Sequence, residues 1–163
     1  MRLVFLCGPP CSGKTTLAHT LATEHDVVLD YDDIARGLGS PTPWSHPEPW
    51  RTAAEHDMQA AITQAAAHPA DGTAWVIRTA PRARQRAGLA HQWNAQVYLL
   101  NPGRAECTRR AQADSRPSGT ARSISDWYYR HSPWHDDQDP GDLHEAWAYP
   151  QVRGMVEIDP RDV

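Results

Sequence analysis

Gly8-Pro9-Pro10-Cys11-Ser12-Gly13-Lys14-Thr15 fits the pattern G-x-x-x-x-G-K-[ST], and each part of that pattern has a separate task. Gly8 and Gly13 permit backbone angles that turn successive N–H groups inward around a phosphate. The Lys14 ammonium can reach β- and γ-phosphates, and the Thr15 hydroxyl can ligate Mg²⁺. The chemistry expected is capture of a nucleoside triphosphate, ATP or GTP, with Mg²⁺. Pro9, Pro10, Cys11, Ser12 and Thr16 complete the loop that would hold it. Lys14 is the sole lysine among 16 basic residues, the other 15 being arginine. A chain that otherwise avoids lysine but has it here favours a working site.

A second group of residues could act on what the loop holds. Asp30-Tyr31-Asp32-Asp33 puts three carboxylates in four residues. Asp32 is the candidate to accept a proton from an attacking hydroxyl, and Asp30 the candidate to hold Mg²⁺ through a water. The alternative for Asp32 or Asp33 is a helix N-cap, a position aspartate favours. Arg36 lies one helical turn beyond Asp32, where it could hold a phosphate on an acceptor or form an i,i+4 ion pair. Arg109, Arg110 and Arg116 lie around a Pro/Gly-interrupted stretch and could close over a nucleotide. The planar arginine fork suits bidentate phosphate contacts and charge in a transition state, so at least one of the three is expected on the phosphates.

These groups need a scaffold that brings them to one rim. Apolar runs at 2–7, 27–29, 74–77 and 96–100 read as strands, with 155–158 as a fifth at an edge. Helical patterns fall at 15–24, 32–38, 50–68, 82–93, 104–113 and 124–131. Four prolines and Trp44 make 40–49 a loop, and Pro117-Ser118-Gly119 reads as a break. Strand and helix alternate, which is the signature of an α/β fold with a mostly parallel sheet. The expected architecture is a single P-loop NTPase domain of three α/β/α layers, a five-stranded sheet and a helical lid over about 104–130. Ligands of such sheets collect beyond the carboxyl ends of the strands. The phosphate loop, Asp30 to Asp33, Arg78-Thr79-Ala80 and the arginines after the fourth strand would then share one edge.

Composition narrows the setting. A length of 163 residues suits one domain. Apolar runs fall well short of the roughly 20 residues a membrane span needs, and the start shows no signal-peptide pattern. Cys7, Cys11 and Cys107 form no C-x-x-C pair, so neither a disulfide framework nor a zinc site is indicated. A reducing cytoplasm is the expected location. Cys11 sits where loop dipoles could lower its pKa or where it is only a small filler. Net charge is −4, but residues 78–130 hold ten arginines against Glu106, Asp114 and Asp126. That basic middle suits a polyanion such as ATP or a nucleic acid strand; for Arg82, Arg84 and Arg86 a solvated helix face is the alternative. Tryptophans near these arginines could stack bases or simply pack. His131, His135, Asp136 and Asp137 follow no metal-ligand spacing and read as a polar loop.

Together, the loop 8–16, the Asp32-Asp33 pair with Arg36 behind it, and the Arg110…Arg116 segment resemble the small P-loop kinases. Within these they resemble the kinase domain of phage-type polynucleotide 5′-hydroxyl kinases. The resemblance covers about residues 1–130. It implies Asp32 as general base, Arg36 on a phosphate near the acceptor, and Arg110 and Arg116 as lid arginines. It also implies ATP and Mg²⁺ as reactants and a nucleic acid 5′ end as the favoured acceptor. That family often has an Asp after the third strand, where this chain has Arg78-Thr79. The same enzyme class with a nucleoside, nucleotide, modified-base or small-metabolite acceptor is the second reading. A nucleotide-binding switch or ATPase without kinase activity is the third.

Overall fold

A computed structural model describes residues 1–69, 71–141 and 143. Strand β1 (Arg2–Cys7) explains why its sequence from Leu3 onward is an unbroken apolar run rather than an alternation. Val4 and Leu6 are buried on one face of the sheet, and Leu3, Phe5 and Cys7 are buried on the other. A parallel strand covered on both faces has no solvent side to supply with polar residues.

The chain continues through α1 (Lys14–Leu21), β2 (Val27–Leu29), α2 (Tyr31–Gly37), α3 (Trp50–Ala67), β3 (Thr73–Arg78), α4 (Ala83–Trp93), β4 (Gln96–Leu99), α5 (Arg104–Ala113) and α6 (Gly119–Arg130). The four strands are parallel in the order β2-β3-β1-β4. α1 packs Leu17, Ala18 and Leu21 against Val4, Leu6, Trp75 and Ile77. α3 packs Met58, Ile62 and Ala65 against the opposite face, with Leu89 and Trp93 of α4 beside them. The result is the three-layer α/β/α arrangement expected of the sequence. Cys7 pairs with Arg78 on one side and Leu99 on the other, so three strands finish level and deliver their following loops to one rim.

Among the described residues the sheet has four strands, not five. The expected fifth strand at 155–158 lies outside the described residues. Beside β4 there is instead a single bridge from Tyr98 to Gln138, with Leu99 N donating to Gln138 O at 3.0 Å. α1 ends sooner than its pattern predicts because Asp26 turns the chain. One oxygen of Asp26 accepts from Thr23 N at 2.8 Å and the other from Thr73 N at 2.6 Å, tying the entry of β2 to the start of β3. α6 starts five residues sooner than predicted. Pro117 opens its first turn, where proline fits well, and Thr120 N donates to Pro117 O at 2.8 Å.

α5 and α6 form a helical hairpin whose small core is Cys107, Ala111 and Ile124. Cys11 of the phosphate loop and Tyr128 pack against that core, so the hairpin rests on the loop. No helix among the described residues is long and apolar enough to cross a membrane.

Candidate active site

The loop between β1 and α1 is held open by its glycines. A Cβ on Gly8 would lie 2.3 Å from Leu100 O and 2.9 Å from Ser12 Oγ, so no side chain fits there. Gly13 is left-handed at φ 96° and Cys11 at φ 61°. The first intrahelical bond of α1 is Leu17 N to Gly13 O at 2.9 Å. The amides of Lys14, Thr15 and Thr16 precede it and have no carbonyl one turn back, the usual state of a helix start and one suited to an anion. Lys14 is buried; its Nζ donates to Pro9 O at 2.6 Å and to Ser12 Oγ at 3.2 Å. Burial draws its pKa down to about 8.

Thr15 is fixed by the second strand. Its hydroxyl donates to Asp30 Oδ2 at 2.7 Å. Asp30 is itself buried and caps α2, with Oδ1 accepting from Asp32 N at 2.9 Å. The capping role therefore falls to Asp30, and the side chains of Asp32 and Asp33 are left for other contacts. A hydroxyl and a carboxylate side by side at the mouth of a phosphate loop are hard oxygen donors that suit Mg²⁺. Among the described residues, no three His, Cys, Asp or Glu side chains cluster to hold a metal, so such an ion would depend on phosphate and water oxygens as well.

Asp32 faces the loop 40–49. Its Oδ1 lies 3.1 Å from His46 Nε2, and His46 Nδ1 lies 2.8 Å from Ser40 Oγ. A carboxylate only accepts, so Nε2 carries the hydrogen in this contact. The His46 side chain is 1% exposed. Burial raises the Asp32 pKa, and the Asp30 charge raises it further; the His46 hydrogen bond and the Arg116 charge act in the opposite direction. Nothing in the spacing of residues 40–49 marked His46 as Asp32's partner. A histidine set between Ser45 and Pro47 was the one available signal.

Arg36 does not turn to Asp32. It pairs with Asp33, three residues before it, on an exposed face. Arg109 is exposed and holds Glu106 at 2.6 and 2.7 Å. Arg110 also pairs with Glu106, at 2.7 Å, and reaches the phosphate loop through Ser12 O at 3.2 Å. These two arginines hold the Glu106 carboxylate down to about 2. The Arg116 guanidinium carbon stands 4.2 Å from the centre of the Trp44 ring, and its Nε is buried without a hydrogen-bond partner. Burial pushes the Cys11 thiol up while the charges of Arg116, Lys14 and Arg110 pull it down. Cys11 is thus a packed thiol rather than an activated one, and three cations converge on the loop around it.

Two other arginines are structural. Arg78, at the end of β3, makes a bidentate pair with Glu55 of α3 at 2.9 and 3.0 Å. Arg86 is fully buried, so it is neither a polyanion contact nor a solvated helix face. All five of its N–H groups are used: two on Asp137, one each on Ala80 O and Pro81 O at 2.9 Å, and one on Ser132 O at 2.7 Å. Asp137, read from sequence as part of a polar loop, is the counter-ion that locks the chain after α6 to the chain after β3.

Residues 3–126 match the family model described as an AAA domain. No curated protein matches the chain. Among solved structures, the tunicamycin resistance protein of Deinococcus radiodurans is similar at 20% identity and a TM-score of 0.55, covering 95% of this chain and 96% of that one. Shikimate kinase from Acinetobacter baumannii, in complex with shikimate, is similar at 15% identity and a TM-score of 0.53, covering 91% and 81%. At these identities the likeness is one of fold alone.

Proposed function

The chain belongs to the AAA domain family, and on that premise we propose that it is an ATP-dependent phosphotransferase acting on a hydroxyl. The observation that carries this reading is the run Thr15–Asp30–Asp32–His46, linked by side-chain and capping hydrogen bonds. It starts at the phosphate loop and, through His46, orients the Asp32 carboxylate, a group able to accept a proton. A switch protein needs a nucleotide site but no such base.

In this reading the amides of residues 13–16 and Lys14 bind the triphosphate, with Pro9 to Ser12 shaping the loop. Thr15 and Asp30 would hold Mg²⁺, which would supply neutralising charge at the phosphate oxygens. Asp32 takes the proton of the acceptor hydroxyl as its oxygen attacks the γ-phosphorus. The new O–P bond forms, the bond to the bridging β,γ-oxygen breaks, and ADP leaves. Arg110 and Arg116 steady the charge on the moving group, where arginine is effective. Arg109, exposed and turned to Glu106, supports Arg110 through that shared carboxylate. Arg36 keeps a place near the acceptor only if it exchanges Asp33 for a phosphate.

The acceptor favoured by the sequence resemblance is a polynucleotide 5′-hydroxyl end. A small hydroxylated molecule is the second reading. It is favoured by Arg78 and Arg86, which are committed to Glu55 and Asp137 and are lost to any track for a strand. Incubation with γ-labelled ATP, Mg²⁺ and a panel of 5′-OH DNA and RNA oligomers, nucleosides, nucleotides and small polyols tests both. Label on oligomers alone supports the first acceptor, and label on small molecules alone the second. ATP hydrolysis with no labelled acceptor contradicts the phosphotransferase reading.

A further inference from the structure

A cavity of about 370 Å³ opens beside the phosphate loop, between the end of β3, the start of α4 and the outer half of α6. It touches the loop at Pro10 and the β3 rim at Thr79. Its floor includes Trp127, whose Nε1 donates to Thr79 O at 2.6 Å. Its volume lies in the range usual for small-molecule sites.

The arginines of the basic middle segment sort into two groups. Arg78, Arg86, Arg109, Arg110, Arg116 and Arg122 have carboxylate partners, and Arg104 donates to Ser125 Oγ at 2.9 Å. Arg82, Arg84 and Arg130 have no ion-pair partner among the described residues. Two of those three, Arg82 and Arg130, line this cavity. They come from different elements, Arg82 as the N-cap of α4 and Arg130 as the last residue of α6. Asp126 also lines it, 4.0 Å from Arg122, so the lining carries one carboxylate against two guanidinium groups. Gln85 adds neutral polar atoms. An unpaired guanidinium pair beside an indole and amide-type groups fits a ligand that is polar, partly planar and carries an oxyanion.

We propose that this cavity is the subsite for an anionic group, a phosphate or a carboxylate, carried by the acceptor and bound between Arg82 and Arg130. As part of an acceptor site it rests on the phosphotransferase reading; as an oxyanion site it stands without it. It narrows the acceptor to a hydroxyl compound with a second, acidic end, and so disfavours neutral sugars and unmodified nucleosides.

The test uses the full chain saturated with Mg²⁺ and a non-hydrolysable ATP analogue, so that the phosphate loop is filled. The ¹⁵N-indole signal of Trp127, assigned by its loss in Trp127→Phe, is followed during titration with inorganic phosphate and separately with acetate. A saturable shift, weakened about tenfold or more in Arg82→Gln and in Arg130→Gln but unchanged in Arg84→Gln, supports the site. The anion giving the tighter curve tells phosphate from carboxylate. No saturable shift, or equal curves in all variants, overturns it. If the analogue itself fails to bind, the phosphotransferase reading falls. The same titration on Lys14→Ala protein, whose loop is disabled, then tests the cavity alone. Arg82 and Arg130 are exposed, so both variants should fold, and thermal melts check this.

Discussion

His46 Nε2 lies 3.1 Å from Asp32 Oδ1, with the imidazole almost wholly buried. The residue proposed as base is thereby oriented by a loop that carries none of the phosphate-binding motif. The contact orients the carboxylate and offsets part of the rise in pKa that burial and Asp30 impose.

Replacing Asp32 by Asn is expected to keep ATP affinity within about threefold while turnover falls by about 10²- to 10⁴-fold, the usual share of a general base. Binding calorimetry and labelled-phosphate transfer on the same preparation check it. Unchanged transfer removes Asp32 from its role.

The pH profile carries a second expectation. Asp32 works as the carboxylate, and its pKa lies above the ordinary 3.8. Activity should therefore fall, as pH drops, at a higher pH than an unperturbed aspartate would give. His46→Ala deletes an interaction that lowers this pKa, so the acid limb should move to still higher pH. Rate measurements across pH 4 to 8 on both proteins read the displacement, and an unmoved limb contradicts the positioning role.

Arg116 and Trp44 connect the proposed lid to the same loop, with the guanidinium carbon 4.2 Å from the ring centre. Arg116→Ala is expected to lower kcat by about 10²-fold or more, with ATP affinity changing less, since lid arginines of this kind act mainly on the transition state. Trp44→Ala removes only the ring beneath the guanidinium, so a cation–π loss of about 0.5–2 kcal/mol in lid closure should appear as a smaller drop. Steady-state kinetics on both variants separates the two, and full activity in Arg116→Ala refutes the lid assignment.

Arg86 sets a prediction about stability rather than catalysis. Arg86→Ala leaves Asp137 without its buried partner and three carbonyls without a donor, so it should cost about 3–5 kcal/mol. Arg86→Lys should recover only part of this, because one ammonium cannot reproduce five N–H groups in a plane. Urea unfolding of the three proteins checks the order.

Much of the scaffold was legible because its causes are local. The strands β1 and β3 are buried on both faces, and that alone makes LVFLC and AWVI continuous apolar runs. The phosphate loop is contiguous, so Gly8, Gly13, Lys14 and Thr15 declare it without any tertiary knowledge. The partnerships that complete the site were not legible, because they join residues across the fold. Arg36 stood one turn from both Asp32 and Asp33, and spacing could not say that it would take Asp33. Arg82, Arg84 and Arg86 read alike in sequence, yet Arg86 is buried on Asp137, 51 residues away. His46 reaches Asp32 only through the path of a proline-rich loop that has no periodicity to read.

Titration calorimetry with ATP, in the presence and absence of Mg²⁺, bears most directly on the claim that residues 8–16 wrap a nucleoside triphosphate. The account predicts saturable one-to-one binding that needs Mg²⁺ and is abolished in Lys14→Ala. Because burial draws the Lys14 pKa down to about 8, binding near that pH should also take up a fraction of a proton, seen as a dependence of the heat on buffer ionisation. No binding by the wild-type chain, or equal affinity in Lys14→Ala, would contradict it.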